Sequence, residues 1–306
     1  MKHYKKLILL SAVILSALNS CGDVPVEIDK DTYNPKIVVE GYLFPGQAAN
    51  NIRISRNYGL GQNIELNELF IDDAQVTVTD VNTDQLYELS FNTLTMAYNY
   101  TGSDWTVQAG KSYRLDVAAT IDGKNLVASS TTTVPESGFT VRQQDSFLGP
   151  IHYSEDLPAN KKMQIVYDRS PSSDSYILSV VALDASLDTF IEGNIFGINK
   201  DRFDELNDSD ELKFFNFLKH QYQWHQTQKG AGQSWLDVEY FSTWFYGPYR
   251  LILYAADENF TDYLLTHNMI QEMDGNLLEP KFHMEGDGIG VFGSAIADTV
   301  FVEVLR

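Results

Sequence analysis

Between Ile37 and Val134 apolar and polar residues alternate in short runs, a period of two that leaves little besides half-buried β-strands. Ile37-Val38-Val39-Glu40-Gly41-Tyr42-Leu43 is strongly β-branched, and Ile52-Arg53-Ile54, Val76-Thr77-Val78, Leu86-Tyr87-Glu88-Leu89 and Tyr113-Arg114-Leu115-Asp116-Val117 repeat the pattern. Gly, Asn and Asp punctuate the runs, as at Asp122-Gly123 before Leu126 to Val134, and Pro135 ends them because proline cannot continue a central strand. Short strands at this spacing predict an immunoglobulin-like antiparallel β-sandwich over residues 36–136. The sandwich has no cysteine pair, so packing alone must hold it.

From Phe139 the texture changes. Met163–Tyr167, Tyr176–Leu183, Val238–Tyr246, Tyr249–Ala255 and Thr299–Leu305 read as strands. Asp210–Tyr222 and Asn259–Met273 read as helices, the first capped by Ser209 with Asp210 and Glu211 at its positive end, the second stopped at Gly275. Residues 137–306 are therefore expected to form a β-rich α+β domain with about two helices, which makes the whole chain mainly β. Whether its strands join a sheet of the first part is left open by pattern alone.

The first thirty residues supply an address. Lys2, Lys5 and Lys6 precede Leu7 to Leu18, an apolar core of twelve residues, where a bilayer-spanning helix needs about 20. The stretch ends in Leu18-Asn19-Ser20-Cys21, which resembles the lipobox of bacterial lipoproteins, with Cys21 as the lipidated first residue of the mature chain. An ordinary signal peptide followed by a stray cysteine is the alternative; the position of the only cysteine at this boundary favours lipidation. Residues 1–20 thus read as a lipoprotein signal peptide and 21–35 as an acidic tether. Asp23, Glu27 and Asp29 on the tether resemble a surface-export signal of Bacteroidota lipoproteins. Lipid on Cys21 is the one covalent group expected, with no other cofactor, and it anchors the chain to a membrane without crossing it.

Charge narrows the partners further. The chain carries 22 Lys+Arg against 42 Asp+Glu, a net charge of −20, and three of the lysines lie in the leader. Such a surface repels phosphate backbones, so no nucleic-acid partner is expected.

Candidate chemistry is sparse. His220 and His225, five apart, are poorly spaced for joint metal ligation on a helix. His283, Glu285 and Asp287 alternate and could share a strand face, but Gly286 and Gly288 favour a turn. Asp201, Asp204, Glu205, Asp208 and Asp210 lack the spacing of a calcium loop and read as a solvated loop and helix cap. The glycines at 286, 288, 290 and 293 lack the following helix of a dinucleotide loop, and no nucleophile elbow or triad is present. The expectation is a non-catalytic protein without a metal site. What stands out is aromatic density from Tyr222 to Tyr254, including three of the four tryptophans. Core packing accounts for most of it; Trp235, Trp244 and Tyr249 are the candidate anchors of a partner-docking surface, and a sugar-stacking face is a further reading.

Several stretches together resemble the Bacteroidota lipoprotein family called domain of unknown function 4249 (DUF4249). They are the lipobox and acidic tether, Lys36 to Leu43, Ile52-Arg53-Ile54-Ser55, Ala109-Gly110-Lys111-Ser112-Tyr113-Arg114-Leu115-Asp116-Val117, Thr132-Thr133-Val134-Pro135, and Glu285 to Gly293. Phe282-His283-Met284-Glu285 departs from the family's usual approach to its glycine-rich segment. The resemblance implies a lipid-anchored outer-membrane protein, often found with TonB-dependent transporters, and the acidic tether adds the expectation of display at the cell surface. It carries no catalytic residues over. Two functions follow as expectations: an accessory subunit docking on an outer-membrane β-barrel in nutrient uptake or envelope assembly, or a stand-alone surface lipoprotein that binds a glycan or other ligand.

Overall fold

The computed structural model describes residues 33–59, 62, 64, 66–267 and 280–306. Cys21, the expected signal peptide and nearly all of the expected tether lie outside these residues. The described residues fall into two units, 33–34 with 58–59 and 62 in one, and 35–57 with 64, 66–267 and 280–306 in the other. Within the first, the Gln62 amide donates to the Gly59 carbonyl at 3.3 Å and closes a turn.

The chain is mainly β. The alternating segment supplies β1 (Ile37–Leu43), β2 (Arg53–Arg56), β3 (Gln75–Asp80), β4 (Gln85–Asn92), β5 (Ala97–Asn99), β6 (Ser112–Ile121) and β7 (Lys124–Thr133). After it come β8 (Thr140–Val141), β9 (Ile151–His152), β10 (Met163–Asp168), β11 (Ser175–Ala182), β12 (His220–Gln226), β13 (Gln233–Val238), β14 (Gly247–Ala256), β15 (Glu285–Gly286) and β16 (Gly288–Leu305). Among the described residues two helices exceed a couple of turns, α1 (Asp208–Lys219) and α2 (Glu258–His267).

Two large layered cores result among the described residues, with a small third cluster of Ile177, Ala256, Phe260 and Ala295 beside α2. In the first, the sheet β15-β7-β6-β3-β4-β5 packs on β1 and β2 around Ile37, Val39, Ile54, Val78, Tyr113 and Leu115. In the second, β13-β10-β8 packs on β12-β11-β14 and the end of β16, around Ile165, Tyr167, Tyr176, Leu178, Leu251 and Val302. Period-two alternation makes both possible: on β6 the pattern of Tyr113, Leu115 and Val117 inward and Arg114 outward is the one visible in the sequence.

The two parts share a sheet. Residues Gly288 to Ser294 of β16 pair in parallel with β1, from Ile37↔Gly288 to Leu43↔Ser294. The strand then continues antiparallel to β14, from Ala256↔Ala295 to Gly247↔Val304. The last strand of the chain thus completes the sheet of the first, and Phe292 enters the first core. The segment 36–136 is contiguous in sequence but takes a sheet partner from the far end of the chain.

The chain turns at Asp287, and Gly288, Gly290 and Gly293 after it belong to β16. At Gly290, φ is +106° and a Cβ would stand 2.1 Å from the Val39 carbonyl oxygen. At Gly293 a Cβ would stand 3.0 Å from the Phe260 backbone nitrogen on α2. At Gly290 neighbouring backbone comes too close for any side chain, and at Gly293 a side chain would crowd the start of α2. This segment looked turn-like because the same composition serves both purposes.

A polar clamp holds the crossing. The Asp257 carboxylate, just before α2, accepts from the Phe260 and Ser294 amides at 3.0 Å each and from the Thr132 hydroxyl at 2.6 Å. Asn259 Nδ2 donates to the carbonyls of Thr131 (2.9 Å) and Phe292 (2.8 Å). One short loop therefore ties β7 to β16 and caps α2. Burial raises the Asp257 pKa above the ordinary carboxylate range even with these donors around it.

The helices differ from expectation at their ends. α1 starts two residues earlier because Asn207, not Ser209, is the cap: its side chain accepts from the Asp210 amide. It ends at Lys219, where His220 turns extended and begins β12. The expected strand Val238–Tyr246 is divided: β13 ends at Val238 and Tyr240–Ser242 is a 3-10 turn. The expected end of the second helix falls outside the described residues.

A fragment of residues 34–136 should fail to fold cooperatively, since β1 loses its parallel partner and the first core loses Phe292. Circular dichroism with a urea titration checks this. A sigmoidal β-sheet transition from the fragment would show that β16 is dispensable to the first sandwich.

Candidate functional site

The sequence-predicted anchors separate on folding. Trp235 stands on the outer face of β13, 56% exposed, while Leu236 and Val238 turn into the core. Trp244 and Tyr249 correct the expectation: at 5% and 1% exposure they belong to the second core and offer no surface to a partner. Trp244 lies parallel to Phe196, with ring centroids 5.5 Å apart. The Tyr249 hydroxyl accepts from the Phe245 amide and donates to its carbonyl, each at 2.8 Å, and burial drives the phenol pKa far upward. The aromatic excess is thus mostly what a sandwich lined with large rings requires.

A different set reaches solvent. Tyr222 and Trp224 alternate on one face of β12 and are close to half exposed, and Phe241 joins them from the 3-10 turn. Their spacing of two was legible in Gln221-Tyr222-Gln223-Trp224, once this stretch is read as strand and not as the end of a helix. Trp224 Nε1 donates to Ser175 Oγ at 2.8 Å, which fixes the indole against β11. Between β12 and β13 runs a groove of about 440 Å³ lined by Tyr222, Trp224, His225, Trp235, Asp237 and Phe241. Among the described residues no strand pairs with the outer edge of β12 or of β13. The Glu239 amide donates to Gln223 Oε1 at 3.2 Å, so the two edges are bridged at one end.

The edge carries little titrating charge at neutral pH. Burial, with a smaller push from Arg250, lowers the His220 pKa; burial alone lowers that of His225. His220 Nε2 lies 2.8 Å from Ser179 Oγ. An aromatic surface between neutral imidazoles, amides and a few carboxylates can desolvate against another protein or stack on a sugar ring.

On the other side of Trp224 a polar cleft of about 640 Å³ opens beside the clamp, lined in part by Thr133, Asp174, Gln226, Lys229, Glu258 and Asp262. The other weighed clusters disperse. Glu285 approaches Ser129 Oγ at 3.5 Å, and Asp287 faces Lys36 at 4.0 Å, whereas His283 turns to Asp262 at 2.9 Å. Their strand face is broken because β15 pairs with β7 and the chain turns at Asp287. In the acidic stretch, Asp210 bonds Asn207 and Lys213, which hold its carboxyl below the ordinary range, and Arg202 pairs with Glu205 at 2.8 Å. No helix among the described residues is long and apolar enough to cross a membrane.

Fold and site together define a mainly β protein of two sandwiches joined by a common strand, with an aromatic groove at one edge. The chain belongs to the family described as Domain of unknown function (DUF4249), which it matches over residues 23–296. No curated protein matches it. Among solved structures it is similar to a DUF4785 family protein from Legionella pneumophila, at 10% identity and a TM-score of 0.22, over 72% of this chain and 50% of that one. This chain therefore spans half the length of that structure.

Alanine at Trp244 or Tyr249 should destabilise the fold by about 3–5 kcal/mol, because each empties a filled core position. Alanine at Trp235 should stay within about 0.5 kcal/mol of the parent. Urea melts of the three variants check this; equal losses at all three would place Trp235 in a core too.

Proposed function

We propose that the protein is a non-catalytic, lipid-anchored lipoprotein of the outer membrane, displayed at the cell surface, that docks as an accessory subunit on an outer-membrane β-barrel such as a TonB-dependent transporter. The lipobox ending at Cys21 supports the anchor, and family membership agrees with it. The single observation that carries docking is the exposed aromatic set Tyr222, Trp224, Trp235 and Phe241 on two unpaired sheet edges. Aromatic rings remove much surface from water at small rotamer cost, and open edges can accept a partner strand. Two or three acyl chains on Cys21 hold the chain at the membrane, because each buried methylene contributes about 0.8 kcal/mol.

A second reading has its own support. The groove sets indole and phenol faces beside Gln223, His225 and Asp237, the mixture that grips a sugar by stacking and hydrogen bonding. In that case the protein works alone as a surface glycan-binding lipoprotein.

Purification of the native protein from detergent-solubilised membranes separates them. The docking reading expects a stoichiometric barrel partner that Trp224→Ala and Trp235→Ala each weaken by about 2 kcal/mol, together with a diacylglyceryl mass on Cys21 and release of the Cys21→Ala variant. Recovery of the lipoprotein alone, stabilised against heat by oligosaccharide, would select the second reading. An unmodified Cys21 in the mature protein would remove the anchor from both.

A further inference from the structure

Three ligand-type side chains that are remote in sequence meet at the rim of the polar cleft. Glu258 and Asp262 are one helical turn apart on α2 and so share a face. His283 comes from the segment before β15, and its backbone carbonyl accepts from Ser130 Oγ at 2.5 Å, which ties it to β7. One ligand atom from each of the three lies within 4.8 Å of the others. His283 Nε2 stands 2.9 Å from Asp262 Oδ2.

We infer that Glu258, Asp262 and His283 form a binding site for one divalent transition-metal ion, with its open coordination positions toward the cleft. Two independent features argue for it beyond the proximity of the groups. The first is the donor set. One imidazole nitrogen with two carboxylate oxygens suits zinc-like ions, whereas calcium and magnesium take oxygen alone. The second is a cation already drawn to this spot: the Lys281 ammonium lies 3.7 Å from the same Asp262 oxygen that faces His283. Lys281 is an exposed, flexible side chain that a metal ion can displace. Glu258 is exposed and can swing the small distance that a bond of about 2 Å requires. Glu258 and Asp262 also line the cleft, so a bound ion would face a space of about 640 Å³ that also holds Gln226 and Lys229. The site does not depend on the docking reading, since it lies on α2 and not on the groove between β12 and β13.

The test is isothermal titration of the full chain in detergent, stripped with a chelator, with Zn²⁺ and separately Ca²⁺, each accompanied by thermal melts. One equivalent of Zn²⁺ should bind and raise the Tm. Asp262→Asn and His283→Gln should each weaken it at least about 100-fold, because even groups behind the ligands are worth 10–100-fold. Lys281→Met should bind Zn²⁺ more tightly than the parent. Should Asp262→Asn fail to fold, Glu258→Gln on the exposed turn takes its place beside His283→Gln. No saturable Zn²⁺ binding, binding that His283→Gln leaves unchanged, or preference for Ca²⁺ would overturn the assignment.

Discussion

The sheet that links the two cores depends on the hydrogen-bonding edges of one strand. β16 gives its first seven residues to β1 in parallel and its next ten to β14 antiparallel. A parallel partner for the opening strand must arrive from far along the chain, because parallel neighbours need a long connection. The glycines ease the arrival: at Gly290 the Val39 carbonyl approaches within a distance that excludes a side chain, and at Gly293 the start of α2 packs tightly. Asp257 and Asn259 then fasten β7 and β16 through backbone groups and the Thr132 hydroxyl, and a buried carboxylate is tolerated there because three donors surround it. Loss of those donors would leave a charge in a dry site, a far larger penalty than one missing hydrogen bond.

This crossing positions everything that faces outward. Because β14 is pinned between β11 and β16, β11 presents its free side to β12, and β12 becomes an edge. β13 ends the opposing sheet on the same side through its pairing with β10. The groove between them exists because neither sheet adds a further strand among the described residues. The polar cleft has the same origin: β7, the loop before β11 and α2 converge where the clamp brings the two cores together. Trp224 lines both spaces, held by Ser175.

Much of this was legible in the chain. Alternation in Tyr113-Arg114-Leu115-Asp116-Val117 gave both the strand and its inward face, and the family resemblance was visible in Lys36 to Leu43 and Glu285 to Gly293. Local signals failed where two physical demands share one composition. Glycine at 290 and 293 served close approach inside a strand, and Asn207 competed successfully with Ser209 for the cap. Burial of Trp244 and Tyr249 could not be read because a large ring serves a core and an interface equally well; only the fold decides which way it points. The meeting of Asp262 with His283 was hidden for a different reason, since it joins helix and strand segments whose approach depends on β16.

The central claim is that β16 and its clamp make the two sandwiches one cooperative body. Differential scanning calorimetry of the full chain tests it most directly. A single transition whose calorimetric and van't Hoff enthalpies agree is the result expected of a shared strand. Two resolved transitions, or a calorimetric enthalpy well above the van't Hoff value, would mean that the halves melt separately and that the common strand does not couple them.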